Sequence, residues 1–142
     1  MVVEALTELA ASSTYQDRAD AGRALAVFAE QTAAYDVLLR LVLDGDDTFV
    51  TLTTADALLR RQDTAGFTIV AEALASADTQ QQTYIHDAVA AVFLLFSSDR
   101  DRALQTCDAL TRETDDQVRR GAVALRGMLA QIQPVLHPQE PA

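Results

Sequence analysis

The sequence predicts an all-helical protein of antiparallel hairpins, and three observations carry that reading. Apolar residues recur at helical spacing in every long segment, and no run alternates strictly between apolar and polar residues beside hairpin-type turns. Only 5 Gly and 3 Pro occur in 142 residues, so the connections are short turns rather than linkers. The starts of alternate helices, near 14, 47, 79 and 115, recur at intervals of 33, 32 and 36 residues, a period that suggests a solenoid.

Eight segments are expected, at 2–11, 14–30, 33–44, 47–61, 64–76, 79–96, 99–112 and 115–132. The first sets Val3, Leu6 and Leu9 against Glu4 and Glu8 and reads as an end cap. Ser13 with Gln16 has capping-box spacing ahead of the second, where a side-chain oxygen accepts from an orphan backbone N–H. Thr32 is a simple cap for the third, which ends at Asp44 before Gly45, a residue suited to a left-handed stop. Asp46 caps the fourth, and Arg60 and Arg61 at its end suit the negative pole of the helix dipole as solvated cations.

Asp63 caps the fifth, where Ala71, Ala73 and Ala75 favour helix and permit close packing. The sixth runs from Ala88 to Phe96 without a polar residue, so it is expected to be buried on all sides at the centre of the stack. Ser98 with Asp101 starts the seventh, and Thr114 with Gln117 starts the eighth, expected at the far end. If helices 14–30, 47–61, 79–96 and 115–132 form one layer, then Leu25, Leu58, Phe93 and Leu125 are equivalent core residues.

The run Asp115, Asp116, Gln117, Val118, Arg119, Arg120, Gly121, Ala122, Val123, Ala124, Leu125 resembles the first helix of a HEAT repeat. Asp17, Arg18, Ala21, Ala24 and Leu25 form a partial copy; Asp47, Val50, Ala55 and Leu58 form a fainter one. The segment from Asp78 through Tyr84, Ala88 and Ala91 keeps only the apolar spacing. This resemblance, to the HEAT/armadillo-like superfamily and to no particular member, spans roughly 14–132. It implies a short right-handed α-solenoid of three to four hairpins, with Asp116 and Arg119 linking neighbouring repeats and Ala122 and Leu125 packing. It implies a binding surface rather than chemistry.

The length allows one domain, expected over 1–133 with a disordered tail at 134–142. All eleven cationic side chains are Arg, which we read as the codon bias of a GC-rich, bacterial genome. The net charge of −10 repels phosphates and anionic headgroups, so neither nucleic acid nor membrane is an expected partner, while a basic protein surface is. A single cysteine, no cationic leader and no apolar run of about 18 residues point to a cytoplasmic protein.

Chemistry has few carriers here. His86 and Cys107 could form a nucleophilic pair in a hydrolase, but Cys107 lies in the apolar stripe Ala103, Leu104, Cys107, Leu110. Asp44, Asp46 and Asp47 crowd like a calcium loop without its twelve-residue pattern, and capping explains them. Without Lys or a Gly-rich loop there is no Walker site. No cofactor, metal or catalysis is expected.

The expected function is a non-catalytic protein-binding module using the face built by the second helix of each hairpin. Its polar stripes are Asp36, Arg40 and Asp44; Thr68 and Glu72, with Ser76 in line; and Asp101, Gln105, Asp108 and Arg112. A narrower version is an immunity or inhibitor protein for a basic toxin. The other class is enzymatic: a hydrolase using His86 and Cys107, or a HEAT-like lyase chaperoning a chromophore. A monomer or a homodimer through Val2, Val3 and Leu6 is expected.

Overall fold

The structure, a computed structural model, describes residues 2–138. Among them are eight α-helices: α1 (Val2–Ala10), α2 (Tyr15–Leu25), α3 (Thr32–Val42), α4 (Thr48–Arg60), α5 (Thr64–Ser76), α6 (Thr79–Phe93), α7 (Ser97–Leu110) and α8 (Asp116–Ala130). A 3-10 turn, Ala26–Phe28, extends α2. The chain is all-helical, as its periodicity predicts, and no described helix is long and apolar enough to cross a membrane.

The caps show why these residues start helices. Asp47 Oδ1 accepts from Phe49 N (2.8 Å), Asp63 Oδ1 from Gly66 N (3.0 Å), and Asp115 Oδ1 from Gln117 N and Val118 N. The full capping box is Asp78 with Gln81, a pair not among those expected. Thr14, Gln31 and Phe96 occupy caps without side-chain bonds, so the Ser13, Thr32 and Ser98 assignments are displaced by a residue or two, and Asp47 and Asp115 cap where Asp46 and Thr114 are expected. Gly45 is not left-handed either. Among the described residues the positive φ, 54°, belongs to Gln62, just past the end of α4.

Helix contacts arrange the chain in two rows, α1–α2–α4–α6 and α3–α5–α8–α7. Hairpins α2–α3 and α4–α5 stack as expected, but α8 packs on α5 instead of joining α2, α4 and α6. Leu25, Leu58, Phe93 and Leu125 are all fully buried, yet they do not belong to one layer. The central helix is α5, which buries Gly66, Phe67, Ile69, Val70, Ala71, Ala73 and Leu74 and touches α3, α4, α7 and α8. Helix α6 ends its row instead, and α7 rather than α8 closes the other.

Two arginines tie the hairpins together. Arg18 of α2, 11% exposed, forms a fork with Asp44 (Nε–Oδ1 2.9 Å, Nη2–Oδ2 3.3 Å) and donates to Ser12 O. Asp44 in turn accepts from Asp46 N and Asp47 N, which fixes the turn into α4. Arg61 is no solvated helix end. It reaches back to the α2–α3 connection, donating to Ala26 O (2.8 Å), Val27 O (2.9 Å) and Glu30 while also gripping Asp63. Asp116 and Arg119, expected to link repeats, pair with each other one turn apart on α8.

The start of the tail is tied to the α6–α7 connection. Pro134 is buried, Val135 N donates to Leu94 O (2.9 Å), Leu136 N to Leu95 O (2.7 Å), and Ser97 N to Leu136 O (2.9 Å). These bonds make a short parallel pairing of 94–96 with 135–136, and Arg100 Nη1 clamps it through Ile132 O (2.7 Å). The α6–α7 connection thus offers backbone partners to Val135 and Leu136, within the segment expected to be a disordered tail. The expectation for 139–142 lies outside the described residues.

Candidate functional site

The side chains expected to form one surface divide between structure and surface. Asp36 and Arg40 are exposed on α3, with Arg40 Nε 3.4 Å from Asp36 O. Asp44 leaves the set, because its carboxylate is consumed by Arg18 and two backbone N–H groups. On α5 the Thr68 hydroxyl donates to Thr64 O (2.7 Å), and Glu72 lies partly buried toward α3.

On α7, Asp101 pairs with Arg100 (2.8 Å) and Asp108 with Arg126 of α8, while Gln105 and Arg112 are exposed. Helix α8 stands between α5 and α7, so the α7 stripe does not continue the stripes of α3 and α5. The physical reason is the close α5–α8 contact at Gly121, which admits α8 where regular stacking would place α7.

What the fold does bring together is an acidic cluster around a tyrosine. The half-buried Tyr35 phenol is pushed well above its usual range, first by desolvation, then by the hydrogen-bonding carboxylate of Glu72, and further by the charges of Asp115 and Asp36. Three carboxylates, from α3, α5 and the cap of α8, thus act on one phenol. Glu72 Oε2 is buried and accepts no hydrogen bond. Ser76 Oγ and Gln117 Oε1 meet at 3.1 Å and join α5 to α8 on the same flank. Tyr35 and Asp115 escape a reading of helical stripes because one is aromatic and the other precedes its helix. The only sequence signal is that Tyr35 adjoins Asp36.

The reactive pair does not assemble. Cys107 is fully buried, and desolvation, followed by the charge of Asp108, pushes its thiol up to about 12, so it is no thiolate at neutral pH. His86 Nε2 lies 3.4 Å from Gln131 Oε1 of the loop after α8. It is an inter-helix contact. Asp44 is occupied by Arg18 and by backbone N–H groups, and Asp47, one residue after the expected Asp46, caps α4.

A second surface is apolar. The whole apolar run up to Phe96 is expected to be buried, but α6 stops at Phe93, and Leu94, Leu95 and Phe96 are 50%, 49% and 46% exposed. The paired tail adds Val135 and Leu136, at 65% and 47%. Helical periodicity cannot distinguish a buried helix end from an apolar exit strand. Neither a scan of protein-family models nor a search of curated proteins finds a match for this chain.

Proposed function

We propose that this chain is a non-catalytic protein-binding module whose α3–α5 flank, with the start of α8, receives a basic segment of a partner protein. The observation that carries the reading is the convergence of Glu72, Asp115 and Asp36 on Tyr35, with one Glu72 oxygen buried and without a hydrogen-bond donor. A desolvated, unsatisfied carboxylate oxygen is costly, and a guanidinium or ammonium entering beside it offsets that cost with a charge-assisted hydrogen bond. The chain's net charge of −10 steers such a partner inward and raises the association rate. The HEAT-like reading of 14–132 belongs to the same proposal, supported by the stacking of hairpins α2–α3 and α4–α5 and by nothing in α8.

An arginine-rich peptide titrated against the protein tests this. Binding should perturb the Tyr35 ring resonances, and Asp36→Lys combined with Glu72→Gln should weaken it about tenfold or more at low salt, with helical circular dichroism unchanged. Equal binding by wild type and the double variant overturns the reading.

A further inference from the structure

We propose that the apolar patch of Leu94, Leu95, Phe96, Val135 and Leu136 is the contact between two copies of this chain in an isologous dimer. The backbone bonds of 94–97 with 135–136, centred on the single parallel bridge between Phe96 and Leu136, bring these five residues together on two adjacent segments. Each is about half exposed. With large side chains offering roughly 150–200 Å² apiece, they present on the order of 400 Å² of apolar surface. One face of a standard interface, about 800 Å² and a little under 60% apolar, needs about that much. Scattered single apolar side chains need no explanation, but a contiguous patch built on two pinned, non-helical segments does.

The charges beside the patch point to a second copy as the occupant. Directly after Phe96, the first turns of α7 carry Asp99, Arg100, Asp101 and Arg102 in alternation. In a chain of net charge −10 this stretch is neutral, so it does not select the basic partner that the acidic flank favours. An alternating run is self-complementary across a two-fold axis, where Arg102 of one copy can face Asp101 of the other. Both are well exposed, at 69% and 58% of their side chains. The net charge that would hold two copies apart is screened beyond about 8 Å at physiological ionic strength.

This contact differs from the end-to-end association through Val2, Val3 and Leu6 that a solenoid would suggest. Val3 and Leu6 pack against the core.

Sedimentation equilibrium from about 1 to 100 μM should show a monomer–dimer equilibrium. Leu95→Asp should weaken it about 30-fold or more, with circular dichroism and thermal midpoint close to wild type because the side chain is exposed. Arg102→Asp should weaken it as well, and Asp101→Arg with Arg102→Asp should restore it. Val2→Asp should leave it unchanged. A monomer throughout that range overturns the proposal, as does a dimer indifferent to Leu95→Asp or one broken by Val2→Asp.

Discussion

Gly121 of α8 lies against the backbone of Ala71 of α5 so closely that a Cβ on it would stand 1.5 Å from the Ala71 carbonyl oxygen. No side-chain rotation relieves that contact, because the obstacle is main chain. Gly121→Ala must therefore push α8 away from the central helix and should cost about 3 kcal/mol or more in urea unfolding. Gly127, two turns later, has nothing within 4 Å of its would-be Cβ, and Gly127→Ala should stabilise by about 0.5–1 kcal/mol through helix propensity. Opposite signs for two alanines on one helix would locate the crossing point.

Arg18 and Asp44 form a fork with both side chains about nine-tenths buried. Removing the cation leaves the buried Asp44 carboxylate with only its two backbone N–H donors, so Arg18→Ala should cost about 3 kcal/mol. Arg18→Lys keeps the charge but not the planar fork and should recover only part of that loss in the same denaturant series.

Phe93 closes α6 fully buried, its ring stacked on Phe67 of α5 at 6.0 Å between centroids and 25° between planes. Phe93→Ala should cost about 3–5 kcal/mol from the lost transfer energy and the cavity left behind. Leu25→Ala on α2, equally buried but smaller and without an aromatic partner, should cost about 2–3 kcal/mol. Thermal and urea denaturation of both variants checks the order.

Cys107 links stability to alkali. Its folded pKa, about 12, lies above its ordinary value of 9.0, so the folded state binds the thiol proton more tightly than the unfolded chain. The resulting stability is complete below pH 9 and declines as pH rises toward 12, by up to about 1.4 kcal/mol per pH unit. Tyr35, also raised, acts in the same direction. Cys107→Ala should flatten the pH dependence of unfolding between 9 and 12 relative to wild type. A thiol reagent at neutral pH should label the native protein only at the rate of unfolding.

Local physics made the helices legible. Period, caps and short turns are set by neighbours three or four residues away, so all eight segments and the Asp63 cap follow from the sequence, as do the burial of Leu25, Leu58, Phe93 and Leu125. Which helix lies beside which was settled only by the tertiary structure, because it depends on contacts between residues distant in the chain. Gly121 meets Ala71, Arg61 reaches Ala26, and Leu136 pairs with Leu95. That ordering placed α8 between α5 and α7, and so separated Asp101, Gln105, Asp108 and Arg112 from Asp36 and Glu72. Apolar composition in 88–96 fixed an affinity for nonpolar surroundings, but it could not say whether this chain's own core or another surface supplies them. The end of α6 at Phe93 decided that, by leaving Leu94, Leu95 and Phe96 in the α6–α7 connection, each about half exposed.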